Sequence, residues 1–169
     1  MTINEKARIY ASEKHRAANH MYDQYSYEFH LQMVVNAAEQ FIHLIPHEAQ
    51  QNVLAGCWVH DVIEDARETY NDVKKALSEE VAELAYALTN DKGRTRQERA
   101  GEKYYAGIRN TPYATFIKLC DRIANVTHSK NTGSRMLKVY RKENPGFIEK
   151  LNDKKYVEVI EYLKNLLKN

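Results

Sequence analysis

The chain has 169 residues, the length of one domain or of one domain with a short appendage. Its 25 Lys and Arg nearly balance its 23 Asp and Glu, for a formal net charge of +2. That balance speaks against a protein built to neutralise nucleic-acid phosphate or to coat an anionic membrane. Mean hydropathy is −0.68. No apolar run approaches the ~20 residues that a membrane span needs. The opening MTINEKARIY carries no apolar signal segment, so a cytoplasmic protein is expected. Cys57 and Cys120 sit in apolar stretches and read as free buried thiols of a reducing compartment.

Six Gly and three Pro allow few turns, which disfavours a sandwich or barrel and favours helices. The first helix is expected over about 3–20, followed by a Tyr-rich connection, DQYSYEF. A second runs over about 27–44, with His30, Val34, Ala37, Ala38 and Phe41 at three- and four-residue steps. Pro46 suits the first turn of a third, which runs to about Asp65. Thr69 with Asp72 resembles a capping box and opens a short helix to Leu77. Ser78 caps EEVAELAYALT, with two acids where the helix dipole favours them. Gly93 breaks the pattern, and RTRQERAGEKYYAGIR reads as a basic helix or a loop plus helix. Thr111-Pro112 starts a helix through about His128, and Asn131 to Gly133 form a turn. Two last helices are expected at about 134–143 and 153–167. No segment alternates strongly enough to require a strand. The expected class is all-α, one domain over 1–169.

The chemistry sits in His60-Asp61-Val62-Ile63-Glu64-Asp65, four ionisable groups in an otherwise apolar helix. Burying them unpaired costs several kcal/mol, and a divalent cation compensates economically. On a continuous helix His60 shares a strip with Glu64, and Asp61 with Asp65. A metal over the helix edge could take His60 and Asp61, leaving Glu64 and Asp65 free for substrate or water. His30 and Asp121, each embedded in an apolar helix, would complete the site. Two imidazoles and two carboxylates suit Mn, Fe, Zn or Ni better than an all-oxygen calcium site. Mg and Co remain candidates. Arg94, Arg96, Arg99 and Lys103, with Lys118 and Arg122 beside Asp121, offer counter-charge for phosphate, although the 94–103 cluster equally suits a solvated basic face. Arg122 is expected to pair with an acid on a neighbouring helix. Tyr104 and Tyr105 are expected in the core. His43 and His47 read as surface groups, and His15 and His20 suit either the border of the site or a solvated face.

This pattern resembles the HD-domain metal-dependent phosphohydrolases, and among them the hydrolase domain of RelA/SpoT-type enzymes and small alarmone hydrolases. The resemblance is carried by WVHDVIEDARETYNDVKKALSEEVAELAYALTNDKG and IKLCDRIANV and covers about residues 5–130, with the C-terminal helices at about 134–167 beyond it. It implies an all-α HD bundle with metal ligands His30, His60, Asp61 and Asp121, and manganese as the usual ion. It implies Glu64 and Asp65 as the catalytic acids, with Tyr27 and Asn125 near the nucleotide. The implied reaction removes the 3′-pyrophosphate of (p)ppGpp, a small-molecule substrate. Family members carry a basic, Gly-containing stretch before the first ligand His. Here that stretch is NHMYDQYSYEFH, without Lys, Arg, Gly or Pro, and position 66 is Ala where Thr is common. Another nucleotide phosphohydrolase or nucleotidase on the same site is one alternative. A catalytically silent nucleotide-binding module is another. A nucleic-acid partner is disfavoured by charge, and a homo-oligomer is left open.

Overall fold

A computed structural model describes residues 1–168. Helices dominate it, as expected. Helix α1 (Ile3–Ala17) opens on a reciprocal capping box between Thr2 and Glu5. The Tyr-rich connection forms a small antiparallel ladder that the sequence reading did not anticipate. Strand β1 (Met21–Tyr22) pairs with β2 (Tyr25–Ser26), Met21 opposite Ser26 and Tyr22 opposite Tyr25. Asp23 takes a positive φ of 51° in the turn, a conformation that Asp tolerates better than most residues. Two residues per strand are too few for alternation to show in the sequence.

Helix α2 (Tyr27–Gln40) stops earlier than expected, and residues 42–44 tighten into a 3₁₀ turn. Helix α3 (His47–Val59) follows Pro46. The continuous helix expected to Asp65 is interrupted: α3 ends at Val59, and a single turn, α4 (Val62–Asp65), resumes after it. Asp61, at φ −113° and ψ 3°, marks the break. At this end the Cys57 carbonyl accepts a hydrogen bond from the His60 ring at 2.7 Å. A side chain thereby satisfies a carbonyl near a helix end, where backbone donors run out. Arg67, at φ 62°, turns the chain away after α4.

Helix α5 (Tyr70–Ala76) has the expected Thr69–Asp72 box, and α6 (Glu79–Ala87) the expected Ser78 cap. The basic segment resolves into α7 (Arg96–Arg99) and α8 (Glu102–Asn110). Thr95 and Glu98 form a third capping box there. Helix α9 (Ala114–Thr132) is the central one and buries 13 residues, Phe116, Ile117, Leu119 and Ile123 among them. Gly133, at φ 65°, closes it in the left-handed conformation that glycine adopts without strain.

Helix α10 (Met136–Lys150) passes through Pro145 rather than ending near 143. One backbone hydrogen bond is lost there, and burial of Phe147 and Ile148 beyond it outweighs the loss. Helix α11 (Val157–Leu167) completes the chain after a 3₁₀ turn. Helices α2, α3, α10 and α11 all contact α9, and one hydrophobic cluster extends from Ala7 to Leu167. At Gly56 an added Cβ would lie 2.7 Å from both Ile117 and Leu84. That close approach, one turn before His60, seats the end of α3 against α9 and brings His60 beside Asp121. Among the described residues no helix is long and apolar enough to cross a membrane.

Candidate metal centre and active site

Four side chains from two helices and one helix junction converge. His30 comes from α2, Asp121 from α9, and His60 and Asp61 from the break between α3 and α4. His30, His60 and Asp121 are at least nine-tenths buried. His30 Nε2 lies 3.0 Å from Asp121 Oδ1, and His60 Nε2 lies 3.3 Å from the same oxygen. His60 Nε2 is also 3.0 Å from Asp61 Oδ2. One donor atom from each of His30, His60 and Asp121 falls within 4.8 Å of the other two. Asp61, Glu64 and Asp65 satisfy the same test as a second group.

The residues fit a divalent cation. The Cys57 carbonyl can only accept, so its partner, His60 Nδ1, carries the proton. In the neutral ring, Nε2 is then an acceptor aimed at two carboxylate oxygens. Nε2 is buried and makes no hydrogen bond of acceptable geometry. Acceptors at 3.0 and 3.3 Å repel unless a cation or proton joins them. A backbone carbonyl holding the far nitrogen is the arrangement that fixes a metal-binding imidazole. The carboxylates also have outer partners. Lys118 Nζ donates to Asp121 Oδ2 at 3.0 Å, Asn125 to Asp121 Oδ1 at 3.2 Å, and the Tyr27 hydroxyl to Asp61 Oδ2.

The electrostatics separate the acids. Burial disfavours ionisation of Asp61 and Asp121. Neighbouring cations outweigh it, His60 for Asp61 and Lys118 then His60 for Asp121, and hold both carboxyls well below the usual range. Burial also opposes the His60 imidazolium, but Asp61 and Asp121 together raise it above its ordinary value. Burial followed by the charge of Asp61 raises Glu64, against a 2.7 Å hydrogen bond from the Asn90 amide. Asp65, pressed by burial, Asp61 and Glu64, is pushed up to about 7.

The raised Asp65 has a measurable consequence for the metal-free protein. A carboxyl raised on folding contributes stability that is complete below its unfolded pKa, about 3.9, and lost as pH rises through its folded pKa. Asp65→Asn removes that loss. The variant is therefore expected to gain stability relative to the parent between pH 4 and pH 7, with a constant difference above. Urea midpoints at pH 5 and pH 8 under chelation test this. A difference that is the same at both values overturns it.

A cavity of about 380 Å³ opens over the cluster. Tyr27, Lys118, Asn125, Arg96 and Arg99 all line it, together with His30, Asp61, Glu64, Asp65 and Asp121. His60 lies behind these residues and is not on the cavity wall. Arg94 is a correction: it does not line the cavity. The Thr95 cap turns the chain, so Arg96 and Arg99, three apart on α7, face inward, while exposed Arg94 precedes the turn. Arg122 lies 3.4 Å from Glu143 on the neighbouring α10. Tyr104 and Tyr105 are buried, yet both reach the wall. The sequence reading also missed α10, which contributes Tyr140, Glu143, Phe147 and Lys150. Their three- and four-residue spacing marks one face of α10 but not what that face meets.

His15 and His20, ambiguous in the sequence, border the site. Their Nδ1 atoms are 2.9 Å apart, and their rings lie 4.5 and 3.9 Å from that of Tyr27. Burial is the main cause that lowers both, His15 to about 4, so the pair stays neutral near pH 7. His43 is exposed and bonds Glu158, and His47 is exposed.

An all-helical scaffold that brings His, His-Asp and Asp to one point resembles the HD-domain phosphohydrolase class. The comparisons with known proteins bear out that resemblance. The chain is 32% identical over 76 residues to guanosine-3′,5′-bis(diphosphate) 3′-pyrophosphohydrolase MESH1 of Drosophila melanogaster. The match covers 45% of this chain and 42% of that protein, so the alignment spans less than half of the relative. The fold matches the solved structure of a metazoan ortholog of SpoT, described as hydrolysing ppGpp and acting in starvation responses. The TM-score is 0.74 at 22% identity, over 98% of this chain and 94% of that one. No family profile matches the chain.

Proposed function

We propose that the protein is a metal-dependent (p)ppGpp 3′-pyrophosphohydrolase, one HD unit over residues 1–169. The carrying observation is the convergence of His30, Asp61 and Asp121, backed by His60, beside Glu64 and Asp65 under a single cavity. The similarity to MESH1 supports the substrate class. The mixed nitrogen and oxygen ligand set supports manganese. Two buried free thiols support action in the reducing cytoplasm.

A divalent cation held there would polarise a phosphoryl oxygen and make a bound water more acidic. Glu64, fixed by the Asn90 amide, accepts the proton of the attacking water. Asp65, pushed up to about 7, holds a proton near neutrality and delivers it to the leaving oxygen. Tyr27 orients Asp61, and Lys118 orients Asp121 while lending positive charge to the cavity. Arg96 and Arg99 face the substrate phosphates from α7.

One observation favours a second reading, a phosphohydrolase for other nucleotides. The segment before Tyr27 is a hairpin without Lys or Arg, and its Tyr22 ring stacks 4.6 Å from His30. Pyrophosphate release from ppGpp, with Mn²⁺ and with chelator, beside a panel of dNTPs and dNMPs, decides between them. Manganese-dependent release from ppGpp is expected. Turnover of other nucleotides alone moves the substrate and keeps the site. No turnover by metal-loaded protein overturns the enzyme reading.

A further inference from the structure

Arg122 is 7% exposed. Its guanidinium carbon sits 4.1 Å from the Phe147 ring centre and 4.9 Å from that of Tyr140. Stacking on these faces favours the cation. Yet its Nη1 is buried without a hydrogen bond, and Glu143 Oε1 stands 3.4 Å away. A buried charged donor left unpaired is costly and calls for an explanation.

The same carboxylate is already engaged. Arg96 reaches from α7 and grips Glu143 through two hydrogen bonds, at 3.0 and 2.9 Å. One carboxylate thus serves two guanidiniums, leaving an excess of one positive charge. Partial burial opposes ionisation of Glu143, but Arg96 and Arg122 outweigh it and keep the acid charged. All three residues line the cavity that opens over the candidate metal ligands. Arg122 is the residue after Asp121, turned about 100° round α9.

We infer that Arg96 and Arg122 form a second anion subsite, for a phosphoryl group that is not cleaved, and that Glu143 occupies it until that group displaces its carboxylate. The inference rests on the hydrolase reading above and deepens it. The preferred substrate class is a nucleotide phosphorylated at two separate positions. One group meets the metal cluster and Glu64-Asp65. The other takes the Arg96 fork and the free Arg122 Nη1, geometry that planar guanidinium donors offer to phosphate oxygens. In ppGpp this second group is the 5′-diphosphate. A nucleotide phosphorylated only at the cleaved position leaves Glu143 in place and gains nothing from the two arginines.

The test uses the full chain loaded with manganese. It measures KM for ppGpp and calorimetric Kd for GDP, which carries only the 5′-diphosphate. Arg96→Ala is expected to raise both by about tenfold or more, the loss of one bidentate charged contact. Glu143→Gln keeps the side chain's shape and removes the competing charge. It is expected to lower both by about threefold. Lys92→Ala, an exposed charge outside the cavity lining, is the control and changes neither. Arg96 is itself half-exposed, so its variant is expected to fold, which its melting midpoint checks. If Glu143 is only a structural clamp, Glu143→Gln weakens binding or leaves it unaltered, and either result overturns the inference. Turnover of ppGpp with neither constant shifted in either variant retains the hydrolase and removes the subsite. GDP binding that shifts as expected, in a protein inert toward ppGpp, retains the subsite and removes the hydrolase reading.

Discussion

Asp61→Ala is expected to abolish tight manganese binding and turnover together. Asp61 Oδ2 lies 3.0 Å from His60 Nε2 and takes the Tyr27 hydroxyl as its outer partner. Without it the donor set falls to two imidazoles and one carboxylate, and one negative charge is gone from a buried place. Loss of an outer partner alone lowers metal affinity by ~10–100-fold, so loss of a ligand should exceed that. The readouts are metal content after dialysis and the melting midpoint with and without Mn²⁺. Manganese binding to the native state raises the parent's midpoint by mass action and leaves the variant's unmoved. An Asp61→Ala protein that keeps stoichiometric metal and full turnover removes Asp61 from the site.

Glu64→Gln is expected to separate the two properties that Asp61→Ala loses together. The new amide oxygen still accepts the Asn90 N–H, which the Glu64 carboxylate receives at 2.7 Å, so local geometry persists. Unlike Asp61, which lies 3.0 Å from His60 Nε2, Glu64 forms no ion pair with His30 or His60 among the described residues, so metal content should hold. Turnover should fall by about 100-fold or more, the contribution of a positioned general base. Glu64 is raised above its ordinary value by burial and by Asp61. As a base it works only when ionised, so the parent's rate climbs as pH rises through its pKa. The variant should lack that ascending limb. Unchanged kinetics would take Glu64 out of the mechanism.

Much of this was legible because it depends on local rules. The Thr69 and Ser78 caps were read from side chains that satisfy orphan amides three residues on. The Thr95–Glu98 box obeys the same rule but was obscured by the charge around it. His30, His60, Asp61 and Asp121 stood out because they interrupt apolar runs, and the structure brings all four together.

What was missed depends on contacts distant in sequence. The break at His60–Asp61 escaped because AGCWVHDVI is apolar apart from His60 and Asp61 and carries no Gly or Pro at the break itself. Sequence left His15 between the border of the site and a solvated face, yet it is 1% exposed and its ring packs against Tyr27. Arg94 and Arg96 are equivalent in composition and differ only in the side of a cap on which they fall. The role of α10 in the cavity is set by its packing on α9, which periodicity cannot assign.

The interruption between α3 and α4 also bears on how such a protein can change over time. His60 is held by a buried helix end and a backbone carbonyl, whereas Glu64 and Asp65 ride on a four-residue turn beside the open cavity. Altering a ligand strands buried charge and threatens the whole framework. Altering either acid disturbs almost none of the core. On the function proposed above, activity can therefore be surrendered or retuned by a single substitution while the buried framework is inherited. Descendants of such a chain can lose either acid without first becoming unstable.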